Sequence, residues 1–151
     1  MNSPTRRADT ADAHFLRVVA ADARTVSTVR NEFGRWIRTH LAVDEERISD
    51  IVLAVNEALA NAAEFAYSSA SQPGAMNLLA AYDSYTSVLS VTVTDEGAWR
   101  IADSERKRAS RGRGIPLMRA LADRATIDST AEGTRVRLEW NHVTAAQNAV
   151  N

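Results

Sequence analysis

An acidic and an amide side chain, Glu57 and Asn61, stand four residues apart in an alanine-rich stretch. Residues at this spacing lie one turn above each other on a helix, with their Cβ atoms about 5–6 Å apart. Carboxylate and amide oxygens are suitable ligands for Mg²⁺, and a carboxylate can also act as a general base. The pair therefore predicts either a magnesium site, with Asn61 as metal ligand and Glu57 as base, or simply a polar edge on a core helix.

A second carboxylate, Asp95, follows a stretch in which valine and threonine alternate, and Gly97 stands two residues further on. Alternation with a period of 2 indicates a half-buried strand, so we expect the carboxylate at the end of a strand beside a flexible backbone position. The pattern predicts an Asp that faces a ligand or, as the alternative, an ordinary Asp-Glu-Gly turn.

A glycine-rich stretch, Arg111-Gly112-Arg113-Gly114, precedes a segment with helical apolar spacing. Glycine lets the backbone approach a ligand, and the free N–H groups at a helix N-terminus attract anions. Basic side chains, which can neutralise phosphates, are concentrated in this stretch and in the residues before it: Arg100, Arg106, Lys107, Arg108, Arg111 and Arg113. The alternatives are a plain loop before a helix and a solvated charged surface.

The elements that must position these residues follow from apolar spacing, caps and turn residues. In chain order we expect a strand over 14–20, a helix over 22–41, a helix over 44–67, strands over 75–82 and 85–94, a helix over 114–123, and strands over 125–129 and 134–140. This order predicts an α+β fold, a two-layer sandwich with a mostly antiparallel mixed sheet covered by helices on one face.

Length and composition indicate one globular domain. The 151 residues have a net charge of −1, so no general basic field points to nucleic acid or a membrane surface. The absence of cysteine excludes disulfides and zinc–thiolate sites, and no apolar run is long enough to span a membrane. We expect a cytoplasmic protein with a flexible arm over 1–12, the domain over 13–140 and a flexible tail over 141–151.

Taken together and in this order, the motifs resemble the N box, G1 box, G2 box and terminal Gly-Thr of the Bergerat-fold ATPases, which include histidine kinases, DNA gyrase and mismatch-repair ATPases. The matching segments are Glu57-x-x-x-Asn61, Asp95-x-Gly97, Arg111-Gly112-Arg113-Gly114-Ile115-x-Leu117-Met118 and Gly133-Thr134. In its small size and in the segment from Arg111 to Asp123, the chain most resembles the bacterial anti-sigma factor serine/threonine kinases. The resemblance covers about residues 14–140.

The resemblance implies a role for each matching residue. Asn61 would ligate the Mg²⁺ that bridges the phosphates of ATP, and Glu57 would be the general base. Asp95 would accept a hydrogen bond from the adenine amino group, supported by Thr134. The nucleotide would also be bordered by Gly97, Arg111, Gly112, Arg113, Gly114 and Ile115, with residues 98–111 as the ATP lid.

The same resemblance implies a function and its partners. The substrate would be a serine or threonine on a small anti-anti-sigma protein, the other activity would be sequestration of a sigma factor, and the protein would be a homodimer. The rival class is a non-catalytic module that sequesters a partner, with nucleotide structural or absent. The ATPase part of a histidine kinase fits less well, because no dimerisation helix with a phosphoacceptor histidine is evident.

Overall fold

The computed structural model describes residues 12–66, 74–96, 114–130 and 133–147. In chain order its elements are β1 (Ala13–Ala20), α1 (Ala23–His40), β2 (Leu41–Ala42), α2 (Glu45–Asn61), a π turn (Ala62–Ala66), β3 (Ala75–Asp83), β4 (Val88–Asp95), α3 (Gly114–Leu121), β5 (Arg124–Thr130), β6 (Gly133–Trp140) and β7 (Thr144–Ala145). The predicted order of helices and longer strands is found, with two short strands and the π turn added.

The longer strands form one sheet of five in the order β1-β3-β4-β6-β5, and each neighbouring pair is antiparallel. Buried and exposed positions alternate along β3 and β6, while β4 alternates between buried and half-buried ones. One face of the sheet therefore carries the core, and the helices pack against it. The predicted α+β sandwich with helices on one face is confirmed.

Both long helices are capped by an aspartate at the residue where the sequence predicts the helix to start, Asp22 and Asp44. The Asp22 carboxylate accepts a hydrogen bond from the Thr25 amide at 2.8 Å, and Asp44 accepts one from the Arg47 amide at 2.8 Å. Such caps satisfy amides that have no partner inside the helix. Among the described helices, none is both long and apolar enough to cross a membrane.

The second long helix ends differently from the prediction. The apolar spacing predicts a continuous helix to residue 67, whereas regular α-helix stops at Asn61 and gives way to the π turn. At the junction the Ala62 amide is shared between the carbonyls of Ala58 and Leu59. Apolar periodicity cannot distinguish a π turn from an α turn, and π turns within helices often occur at functional sites.

The hairpin between β3 and β4 also differs from the prediction, in which the first strand ends at residue 82, the second begins at residue 85 and Asp83-Ser84 forms the turn. Asp83 still belongs to β3, and residues 84–87 form the turn before Val88 begins β4. The reason is local, because the Asp83 carboxylate accepts a hydrogen bond from the Tyr85 amide at 2.9 Å. Ser87 has a φ of 61° and completes the reversal.

The sequence predicts a frayed tail from residue 141, but residues 141–147 are ordered against the domain. Thr144–Ala145 pairs with Leu41–Ala42 as a two-stranded sheet, and Val143 is buried. The Tyr82 hydroxyl donates a hydrogen bond of 2.6 Å to the Val143 carbonyl, and burial raises the pKa of Tyr82. This anchor lies 61 residues away in sequence, so local polarity could not reveal it. Residues 1–11 and 148–151 lie outside the described residues.

Candidate functional site

Three polar side chains are buried in the part of the chain that the structure describes: Asn61, Asp95 and Thr134, which are 1%, 8% and 3% exposed. Burying a polar or charged group is unfavourable unless it is hydrogen-bonded or paired. All three have polar partners within the protein. All three of these buried polar residues are among those that the sequence predicts to form a site.

The first half of the candidate site joins α2 to the start of α3. A Cβ atom added to Gly114 would lie 3.0 Å from Nδ2 and 3.2 Å from Oδ1 of Asn61, and 3.4 Å from Oε1 of Glu57. The backbone of Gly114 therefore faces both side chains at close range, which a residue with a side chain could not do without displacing them. Glu57 is half-buried, so its carboxylate remains reachable.

The second half lies where β4 and β6 meet. Asp95, the last residue of β4, pairs with Thr134, and the Thr134 hydroxyl lies 3.0 Å from the Ser129 hydroxyl on β5. A Cβ atom on Gly133 would collide with the Asp95 carbonyl oxygen and lie 3.2 Å from the Glu96 Cα. The glycine thus permits the close backbone approach that sets Asp95 beside Thr134.

The two halves are connected through α2. Helix α2 lies against β4 and α3, and the π turn that directly follows Asn61 also contacts β4. Because β4 ends at Asp95, the amide of Asn61 and the carboxylate of Asp95 are carried by elements in direct contact. The change from α to π geometry occurs at this junction and sets the direction in which the chain leaves Asn61.

The predicted site residues divide into four groups. Glu57, Asn61 and Gly114 come together, as do Asp95 and Thr134. Ile115 is buried with its side chain in the core, so only its backbone is available to a ligand. The remaining predicted residues, Gly97, Arg111, Gly112 and Arg113, and the lid expected over 98–111, lie outside the described residues.

Ser129 was not predicted to belong to the site, and Gly133 was part of the Gly133-Thr134 motif without a role of its own. Their positions depend on strand register, since Ser129 pairs with Thr134 and Thr130 with Gly133 across the β5–β6 hairpin. The signal that could have found them was the expected turn between these strands, because the turn length of a hairpin fixes which residues are opposite. The close approach of Gly133 to Asp95 depends on a third strand and had no local signal.

The side chains around Asn61 determine whether the site could bind the Mg²⁺ that the motifs imply. Among the described residues there is no group of three or more His, Cys, Asp or Glu side chains that could hold a metal. Magnesium in nucleotide sites is usually bound through one or two protein ligands together with substrate phosphates and waters. A buried Asn61 beside a reachable Glu57 therefore fits an ion shared with a nucleotide.

Comparison with known proteins shows the family of the chain and a similar fold. A family model described as a histidine kinase-like ATPase domain matches residues 19–140. The fold is also similar to a crystal structure of the RsbU and RsbW domains of Rv1364c from Mycobacterium tuberculosis, with a TM-score of 0.68 and 24% sequence identity. That alignment covers 89% of this chain but only 33% of the other, so the chain spans about a third of that protein's length.

Proposed function

The chain belongs to the histidine kinase-like ATPase domain family, and we propose that it binds Mg-ATP and phosphorylates a serine or threonine on a small protein partner. The observation that carries this proposal is the contact of Gly114 with Asn61 and Glu57. It joins a potential metal ligand, a potential base and the start of a helix. A helix N-terminus offers backbone N–H groups to phosphate, and the three components are those that phosphoryl transfer to a hydroxyl requires.

In this proposal Glu57 and Asn61 have separate tasks. The partner's hydroxyl oxygen forms a bond to the γ-phosphorus while the bond from that phosphorus to the ADP oxygen breaks, and Glu57 takes the hydroxyl proton. Asn61 would hold Mg²⁺ together with phosphate oxygens, and bound Mg²⁺ would supply charge neutralisation. The half-buried position of Glu57 supports its role, because a base must reach a partner's side chain as well as the nucleotide.

The adenine would be bound at Asp95, with Thr134 in support. Asp95 is nearly buried at the end of β4, and Thr134 is fixed opposite it by strand pairing and by the Ser129 hydroxyl. An ionised carboxylate can only accept hydrogen bonds, and adenine offers an amino donor. Gly97, Arg111, Gly112, Arg113, Gly114 and Ile115 would border the nucleotide, as the motif resemblance implies.

The partners are proposed from the motif resemblance together with the fold shared with an RsbW-containing structure. The substrate would be an anti-anti-sigma protein, the sequestered protein a sigma factor, and the location the cytoplasm. The domain would extend from residue 13 to residue 147, because residues 141–147 pack against it, and it would form a homodimer. The exposed apolar side chains of the outer sheet face support an association of this kind: Leu16, Val18 and Leu79 are 56%, 64% and 42% exposed.

A transfer assay with the native partner and radiolabelled ATP tests the kinase proposal. Glu57→Ala should retain Mg-ATP binding and lose phosphoryl transfer by on the order of 10²–10⁴-fold, which is the usual contribution of a positioned base. Glu46→Ala is the matched control, because Glu46 is exposed in the first turn of the same helix and should transfer at the wild-type rate. Equal rates for Glu57→Ala and wild type would exclude Glu57 as the base. No transfer by the wild type would favour the non-catalytic binding module.

A further inference from the structure

A groove on the outer surface of α1 and α2 is separate from the nucleotide-site residues. Its volume is about 390 Å³, and the lining residues that matter for its chemistry are Arg30, Gly34, Arg38, Val52, Leu53 and Asn56. Gly34 leaves the floor open, since a Cβ atom there would meet only Arg38 Nη1 at 3.3 Å and Val52 Cγ2 at 3.9 Å. The two helices are joined by a short connection and run in opposite directions, so Arg30 and Asn56 share one end of the groove.

The groove is positively charged. Its lining includes Arg30 and Arg38 and, among the residues that the structure describes, no acidic side chain. Arg38 forms an ion pair with Glu45 at 2.9 Å on the rim. Arg30 is half-buried and forms no ion pair with any residue in the described parts of the chain. A partly desolvated guanidinium of this kind favours a carboxylate from a partner.

A second observation at the same end concerns Asn56. Its side-chain oxygen Oδ1 is buried and has no hydrogen-bond partner among the described residues. Leaving a buried acceptor without a hydrogen bond costs free energy, and a donor that reaches the acceptor recovers that free energy. An occupant of this end that brings an N–H or O–H donor would satisfy Asn56, and its carboxylate would pair with Arg30.

The middle of the groove is apolar. Val52 and Leu53 line it, and Leu53 is 41% exposed, so an apolar side chain of a partner could contact it. Arg30 and Arg38 stand eight residues apart on α1, which corresponds to about 12 Å along a helix axis. The sequence of groups along the groove is thus a cation with an acceptor, an apolar patch, and a second cation.

We propose that this groove is a docking site for the N-terminal turns of an acidic amphipathic helix of a protein partner. The first turn of a helix has free backbone N–H groups, one of which would donate to Asn56 Oδ1. Acidic residues are favoured in that same turn and would pair with Arg30. An aliphatic residue one turn further contacts Leu53, and helices commonly bind grooves through such spaced anchors.

The test uses the full chain, labelled with ¹⁵N, and a synthetic peptide of about 14 residues with an acidic first turn and leucines at helical spacing. The peptide should shift the Gly34 amide and the Asn56 side-chain amide resonances. Arg30→Glu should weaken binding by at least about tenfold, whereas Arg35→Glu, an exposed arginine on the same helix that does not line the groove, should stay within about twofold. A lysine-substituted peptide should bind Arg30→Glu better than wild type.

Several results would overturn the proposal. Equal weakening by the two arginine variants would mean general attraction to a basic helix, and shifts outside the groove would mean another site. Equivalent groove shifts with inorganic phosphate would mean a simple anion site, and loss of self-association in Arg30→Glu would mean a second copy of the chain as occupant. If Arg30→Glu fails to fold, Arg30→Gln and the same comparison with Arg35→Gln replace it. Mg-ATP titration of Arg30→Glu should match wild type, which separates this proposal from the proposed function.

Discussion

The side chain of Asp95 is the part of the site whose chemistry is most specific. It is a nearly buried carboxylate at the end of a strand, held opposite Thr134. Guanine offers a carbonyl acceptor where adenine offers an amino donor, so guanine would set acceptor against acceptor. A buried unsatisfied polar group costs about 1–3 kcal/mol, and more when it is charged. Base selectivity is therefore the property to measure at this residue.

We predict that the wild-type protein prefers ATP to GTP by at least about tenfold, since about 1.4 kcal/mol corresponds to a factor of ten. Asp95→Asn offers both a donor and an acceptor, so it should weaken ATP binding and reduce the ATP/GTP ratio. Competition binding of both nucleotides to both proteins measures this. A folded variant with an unchanged ratio would remove Asp95 from the adenine site and leave it as a turn residue.

The backbone positions of the strands and helices determine whether these side chains can meet. We expect alanine to have opposite effects on stability at two glycines, Gly133 and Gly34. Gly133→Ala places a methyl group against the Asp95 carbonyl, a backbone atom of the central part of the sheet. We expect a loss of about 1–3 kcal/mol in the free energy of unfolding, as is usual for overpacking. Gly34→Ala, in the interior of α1, meets mainly the flexible end of Arg38 and should be stabilising by up to about 1 kcal/mol.

Urea denaturation of the two variants beside the wild type measures both effects. The Gly34→Ala protein serves as the matched control, because it makes the same chemical change where a methyl group can be accommodated. A Gly133→Ala protein as stable as wild type would contradict the close approach of β6 to Asp95.

The cap of α1 predicts a pH dependence. The hydrogen bond from the Thr25 amide lowers the pKa of Asp22 below its ordinary value of 3.8. A carboxylate with a lowered pKa in the folded state stabilises the fold above its unfolded pKa, and this contribution is lost as pH falls through the folded pKa. Asp22→Asn can cap without titrating. The melting temperature of wild type relative to Asp22→Asn should thus fall on acidification below about pH 4.

Thermal melts of the two proteins across that pH range test this prediction. Asp22→Ala should melt below both at neutral pH, because alanine offers no acceptor to the helix amides. A constant difference between wild type and Asp22→Asn at every pH would show that the Asp22 carboxylate does not stabilise the helix through its charge.

At the scale of the whole molecule, much of the fold could be predicted because its signals are local. The caps at Asp22 and Asp44 and the alternation along β4 depend on neighbouring residues only, and the element order follows from them. The π turn could not be predicted, because apolar spacing does not distinguish a π turn from an α turn. The ordering of residues 141–147 could not be predicted either, since Val143 is fixed by Tyr82 from a distant strand.

In the candidate site too, some features could be predicted from local sequence and others depend on packing. The types and spacing of Glu57 and Asn61 indicated chemistry, and their motif order indicated a family. Their contact with Gly114 arises only when α3 packs on α2, which no local pattern encodes. Ser129 and Gly133 joined the site through register and sheet packing for the same reason.

We propose above all that the chain binds a nucleotide through a metal held at Asn61. Calorimetric titration of wild type and Asn61→Ala with ATP, with and without Mg²⁺, tests it most directly. Wild type should bind ATP more tightly with Mg²⁺ present, and Asn61→Ala should lose most of this gain while remaining folded. An Asn61→Ala protein that binds Mg-ATP as tightly as wild type would contradict the claim.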